Sequence, residues 1–176
     1  MAGQRWALLR PWLGAVSRLI LGGVWIAAGV SKLDDLAASA RAVSAYRLLP
    51  HDVATFLGGV LPFLEIALGV LLIVGLATRL CGAVSAVLLV AYIVGIASAW
   101  ARGLRIDCGC FGGGGDLSAE ADPGYAGEIL RDVGLLVLAG FLMALPRTRY
   151  SVDSAILPAE STSGERYVAN GGSEVE

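Results

Sequence analysis

Long, solidly apolar runs alternate along this chain with short polar breaks. A bilayer core about 30 Å thick takes about 20 apolar residues to cross as a helix. Four runs approach that length, at residues 13–30, 53–76, 80–100 and 129–145, the last being the shortest. Transmembrane barrel strands alternate in polarity and run about ten residues, so these runs predict helices. The expected fold is all-α, an integral membrane four-helix bundle. Residues 31–52 interrupt the pattern with Lys32, Asp34, Asp35, Arg41 and Arg47. Within them, Leu36, Ala40, Val43 and Tyr46 are spaced for a mildly amphipathic helix lying at the membrane interface. Only Ala77-Thr78-Arg79 separates the second and third runs, which predicts a tight antiparallel hairpin. Residues 101–128 form the largest loop, and 147–176 read as a disordered polar tail rich in Ser, Gly and Glu. The membrane domain is then 1–146. The first run outlasts the roughly 7–15 residues of a signal-peptide core, so it is expected to be a retained helix.

Composition agrees. Charged residues make up 16% of the chain and hydrophobic ones 56%, against about 25% charged in soluble domains, so the main partner is a lipid bilayer. The basic residues are dispersed with no stripe, which excludes nucleic acid. A single histidine excludes haem and metal sites built on several imidazoles. Charge also bears on orientation. Arg5, Arg10, Arg79, Arg147 and Arg149 lie on the side of the termini, with Arg18 just inside the first span. Lys32, Arg41, Arg47, Arg102, Arg105 and Arg131 lie on the other, which is close to a tie under the positive-inside rule. The first group crowds the span ends without acidic neighbours, which favours cytoplasmic termini.

One constellation suggests chemistry: Asp107-Cys108-Gly109-Cys110-Phe111-Gly112. Thiols one residue apart can close a small, strained disulfide, and strain makes such a bond easy to reduce. An exposed, reversible disulfide suits thiol exchange better than stapling, and the glycines that follow would let the pair swing towards a partner. Nearby Arg105 would lower a thiol pKa and Asp107 would raise it. Two cysteines do not fill a tetrahedral zinc site, and no histidine or third cysteine lies close in sequence, so no metal is assigned. Cys81 sits at the far end of the third run and reads as a small buried residue. Glu65, in the middle of the second run, is the other candidate. An ionisable residue in a membrane span is a functional hypothesis by default. It would be neutral or paired with Arg18, and would act either as a proton handler or as a polar clamp between helices. Pro62, one turn earlier, would open space around it. Gly22, Gly23 and Gly29, and the series Gly82, Ala86, Ala91, Gly95 and Ala99, read as close-packing surfaces.

Arg18-Leu19, Gly22-Gly23, Ala28-Gly29 and Lys32-Leu33 resemble the first-helix signature of DoxX-like membrane proteins. Tyr46-Arg47-Leu48-Leu49-Pro50, Pro62, Glu65, Gly69, Gly75 and Thr78-Arg79 continue the likeness, and Ala101-Arg102-Gly103 through Cys108-Gly109-Cys110-Phe111-Gly112 is similar to the MauE branch. The resemblance covers about residues 13–145. It implies a bacterial inner-membrane protein with cytoplasmic termini and an extracytoplasmic cysteine pair. It further implies a thioredoxin-fold partner and maturation of the disulfide-rich subunit of methylamine dehydrogenase. The leading expectation is therefore a membrane thiol–disulfide redox component using Cys108 and Cys110, with Glu65 handling protons. Membrane location and the buried carboxylate allow a quinone as electron carrier, although no residue pattern demands one. The alternative is a non-catalytic membrane anchor whose cysteines merely pin a loop. A small transporter would rest on Glu65 and Pro62 alone, and no inverted repeat supports it.

Overall fold

The computed structural model describes the backbone of residues 2–118 and 121–144, with side chains from residue 12 onward. The tail at 147–176 lies outside the described residues, as do Arg147 and Arg149. Five helices account for nearly all of the structure: α1 (Ala2–Leu33), α2 (Leu36–Ala45), α3 (His51–Val74), α4 (Thr78–Ala101) and α5 (Tyr125–Ala144). Two short strands, β1 (Ile106–Asp107) and β2 (Gly115–Asp116), sit between α4 and α5. The protein is an all-α membrane bundle. Trp12–Leu33, His51–Val74 and Thr78–Ala101 are long and apolar enough to cross a bilayer. The fourth run forms α5, but Glu128, Arg131 and Asp132 occupy its first turns, so its apolar part is short. Large apolar side chains such as Phe56, Val87, Leu130 and Val137 point outward, as a lipid-facing surface requires.

Local chemistry sets the helix ends. The Asp35 carboxylate accepts the Ala38 N–H at 2.8 Å and caps α2, and this bond lowers its pKa. Pro50 precedes α3, and Gly75 closes it in the left-handed conformation (φ 77°), donating its N–H to the Leu71 carbonyl. Small residues bring α1 against α3. A Cβ on Gly29 would lie 2.7 Å from the Pro62 carbonyl, and one on Gly22 2.9 Å from that of Gly69, whereas Gly23 faces open space. The core is filled by Leu21 and Trp25 of α1, Leu72 of α3, Leu89 of α4 and Leu142 of α5. Trp25 crosses it to donate to Ser85 Oγ at 2.9 Å.

Two expectations change. α2 forms, but it buries Ala38, Ser39 and Ala42 while Leu36 is exposed. The cause is Gly58 of α3, which admits the α2 backbone so closely that a Cβ there would meet Ala40 Cα at 2.4 Å. Ser39 Oγ donates to the Gly58 carbonyl at 2.8 Å in the same contact. The second change concerns α3 and α4. Their connection is as short as expected, yet the helices do not pair along their length: α3 lies on α1 and α2, and α4 lies on α5. The bundle closes as a ring whose loosest seam is between these chain neighbours.

Candidate functional site

The loop between α4 and α5 is held down at several points. Ile106 is 1% exposed and packs with Ile96, Ala99 and Tyr125. The Tyr125 hydroxyl donates to the Leu104 carbonyl at 2.7 Å and accepts the Ile106 N–H at 3.0 Å. β1 pairs antiparallel with β2, Ile106 opposite Asp116, which closes the loop on itself. The Tyr46 hydroxyl donates to the Cys108 carbonyl at 3.3 Å, and Asp107 Oδ1 accepts the Gly109 N–H at 3.0 Å. The glycines serve this docking and do not form a free tether. Gly109 and Gly114 both have positive φ, and a Cβ on either would lie within 2.5 Å of Ala42 Cβ. Gly114→Ala is accordingly expected to undock the loop at a cost of about 1–3 kcal/mol, seen as faster alkylation of Cys110. Adding Ala42→Gly should recover only part of the loss, because it removes the clash and leaves the backbone strain.

Docking turns the cysteines into a defined site. Both are thiols and half-buried, and the Cys110 N–H donates to Cys108 Sγ at 3.2 Å. The two sulfurs and a Glu128 carboxylate oxygen all lie within 4.8 Å of one another. Cys110 is pushed below the ordinary thiol range, first by the hydrogen bond that Cys108 donates to it and then by the Arg131 guanidinium, against the opposing effect of burial. Cys108 is pushed up for the complementary reason: its proton is the one shared with Cys110, and burial and Glu128 disfavour its ionisation. Cys110 therefore ionises first. Arg131 is itself set in place by Asp132, whose Oδ1 it contacts at 2.9 Å, and by Phe111, over whose ring it lies 5.0 Å from the centroid.

Beneath the pair lies Glu65, fully buried. Lys32 Nζ contacts its two carboxylate oxygens at 2.6 and 2.8 Å, and the Tyr92 hydroxyl donates to Oε1 at 2.8 Å. The cation paired with Glu65 is thus Lys32, at the end of α1, and not Arg18, about four turns earlier on the same helix. Glu65, Tyr92, Cys110, Arg131 and Asp132 line a common internal space of about 20 Å³, room for roughly one water. The three residues singled out in the sequence, Cys108, Cys110 and Glu65, consequently gather at one end of the bundle. Cys81 does not join them. It is 2% exposed near the start of α4, the opposite end from the pair.

The family model described as methylamine utilisation protein MauE matches residues 10–145. The chain belongs to the MauE family. The match takes in α1 from residue 10, the other four helices and the whole cysteine loop. It makes the protein a membrane protein of the methylamine-utilisation type. No curated protein and no solved structure matches the chain.

In this MauE-family chain five further residues complete the site: Lys32, Tyr92, Glu128, Arg131 and Asp132. From the sequence, Tyr92 reads as a bulky filler or interface anchor, Arg131 as a charge bearing on orientation, and Lys32 as that and as part of the first-helix resemblance. A usable signal existed for both cations, because a cation beside an apolar run needs a partner: Glu65 is the one carboxylate of the second run, and Asp132 adjoins Arg131 in the fourth. Glu128 supplies the third donor beside the cysteines. Two sulfurs and one carboxylate still leave a tetrahedral ion one protein ligand short of a structural zinc site.

Proposed function

We propose that this protein is a membrane thiol–disulfide redox component, exchanging a disulfide between Cys108–Cys110 and an extracytoplasmic thioredoxin-fold partner. The observation that carries the reading is the asymmetry of the pair. One thiol is in contact with another and with a guanidinium, which favours a thiolate at Cys110 and keeps the proton on Cys108. The Cys110 thiolate attacks one sulfur of a partner disulfide; the Cys110–partner S–S bond forms and the second partner sulfur leaves, taking up a proton. Cys108 then loses its proton and attacks Cys110 Sγ, closing the Cys108–Cys110 bond and releasing the first partner sulfur. The dithiol is oxidised and the partner disulfide reduced; run in reverse, the same steps oxidise a partner dithiol. Glu65, across the internal space from Cys110, is the candidate acceptor for protons moving through the bundle.

Trapping tests this. Cys108→Ser removes the resolving thiol, so a mixed disulfide between Cys110 and a thioredoxin-fold protein should accumulate; Cys110→Ser should accumulate none. If neither variant traps a partner, and the double serine variant leaves partner assembly and activity intact, the chain is a membrane anchor. Thiol labelling of intact cells with an impermeant reagent should reach the pair, consistent with cytoplasmic termini. Labelling only after the membrane is breached would invert that topology.

Arg131 gives a second check. Arg131→Gln is expected to raise the pH at which Cys110 becomes reactive towards the ordinary thiol value of about 8.5, slowing its alkylation roughly tenfold near neutral pH. The sign follows from the charge: the guanidinium favours the thiolate, so its loss matters below the thiol pKa and vanishes above it. Arg131→Lys, which keeps the charge, should restore part of the rate.

A further inference from the structure

The loose seam between α3 and α4 contains a cavity of about 280 Å³. Its walls are apolar: Leu57 and Leu61 come from α3, Leu88 and Ala91 from α4. Leu48, Leu49 and Ala91 are exposed at its outer side, between two helices that are each long and apolar enough to span a bilayer. The buried side is different. It is formed by Lys32, Tyr46, Tyr92, Cys108 and Cys110, so the space that opens among leucines ends on the two thiols.

We propose that this cavity binds the ring of a lipid-soluble quinone, which accepts electrons directly from Cys108 and Cys110. The inference rests on the thiol–disulfide reading above. Three observations select the ligand class. The opening is bordered by exposed apolar residues beside two helices long and apolar enough to span a bilayer, so a ligand arriving there comes from the bilayer and is largely apolar. The volume of about 280 Å³ suits a substituted six-membered ring with the start of a tail. The buried side offers hydrogen-bond donors, which a bare acyl chain would leave unused: Lys32 has three N–H groups and gives two of them to Glu65, leaving one for a ring carbonyl. The buried ion pair is thereby both a structural element and the polar floor of the site.

The reaction balances with nothing further. The dithiol gives up two electrons and two protons, its two S–H bonds break and one S–S bond forms, while the two quinone carbonyls become the hydroxyls of a quinol. The proton that Cys110 releases on ionising returns from solvent, and the other comes from Cys108. Coupled to the exchange above, quinone reduction would drive the pair to the disulfide, and the disulfide would oxidise a partner dithiol.

The test uses the full chain in lipid nanodiscs, with the pair reduced and the reductant removed under anaerobic conditions. A benzoquinone with a fully substituted ring and a decyl tail is added, because such a ring resists direct thiol addition. Loss of thiols and appearance of quinol absorbance are followed together. The expected result is one quinol per thiol pair. Ala91→Trp, which fills the mouth, should slow quinol formation about tenfold or more, while oxidation by a soluble disulfide keeps its rate. Val87→Trp, one turn away on the lipid face, should change neither. Photolabelling of the wild-type protein with an azido-quinone adds a readout independent of how well a variant folds: label within 57–61 and 88–95 supports the site, and label confined to outward residues overturns it. If the pair reacts with a soluble disulfide but yields no quinol, the quinone inference falls and the thiol reading stands. If it reacts with neither, both fall. Quinol formation as fast in Ala91→Trp as in wild type would remove the cavity as the site, leaving it to lipid tails.

Discussion

Cys110→Ser is expected to abolish the first step of exchange, lowering the rate with a thioredoxin-fold disulfide by about a thousandfold or more, the scale of losing a nucleophile. Cys108→Ser should behave differently, although it removes a thiol from the same tripeptide. It leaves Cys110 able to attack but unable to be resolved, so a single-turnover burst survives and steady turnover stops. Serine keeps an O–H donor beside Cys110, so that burst should hold close to its wild-type pH dependence, whereas Cys108→Ala removes the hydrogen bond that most strongly favours the Cys110 thiolate and should give a slower burst that needs a higher pH. The alanine variant thus accumulates trapped intermediate but forms it more slowly. Rapid-quench measurement of the mixed disulfide across pH separates the two Cys108 variants. Equal, complete loss in both serine variants would mean that neither thiol is the preferred nucleophile, and the asymmetry on which the mechanism rests would be gone.

Three of the four expected spans match helices long and apolar enough to cross a bilayer, because burial of backbone and side chains in hydrocarbon writes itself into long apolar runs; the fourth run forms a helix whose first turns are charged. The site was legible only in its reactive groups. Cys108 and Cys110 are separated only by Gly109, and Glu65 is conspicuous because a carboxylate amid apolar residues has no cheap alternative. Its partner was not legible. Lys32 is 33 positions away, and from spacing alone Arg18 was as good a choice; only the approach of α1 to α3 at Gly22 and Gly29 sets which cation arrives. The glycines of the loop show a different limit. A run of glycine reads equally as a flexible tether or as a series of left-handed positions pressed against a neighbour. Ala42, on another helix, decides the matter by leaving no room for a Cβ at Gly109 or Gly114. α2 was placed correctly and rotated wrongly for the same kind of reason, since a small-residue contact with Gly58 outweighed the face marked by Leu36. The hairpin of α3 and α4 failed because a short connection limits where helices start and does not oblige them to pack.

Lys32→Met is expected to be the most destabilising single change in the bundle, costing about 3–5 kcal/mol, because it leaves a buried carboxylate without its counter-charge. The side chains of the pair are 6% and 0% exposed, so solvent cannot take the place of the missing partner. Tyr92 would still donate to Glu65 Oε1, but one hydrogen bond from a neutral donor, worth about 1.5–3 kcal/mol, cannot offset a desolvated charge. The double variant Lys32→Met/Glu65→Leu should recover most of the loss, since an apolar pair of similar volume removes the desolvation cost along with the attraction. Thermal unfolding in detergent measures both effects. Recovery of stability in the double variant, combined with loss of quinol formation at an unchanged rate of exchange with a soluble disulfide, would show that the ion pair is kept for the chemistry of the cavity and not for the fold. Recovery of both would make Lys32 and Glu65 a packing element alone. The two outcomes differ because the fold needs the charges only to cancel, whereas a ring carbonyl needs the one N–H of Lys32 that Glu65 does not use.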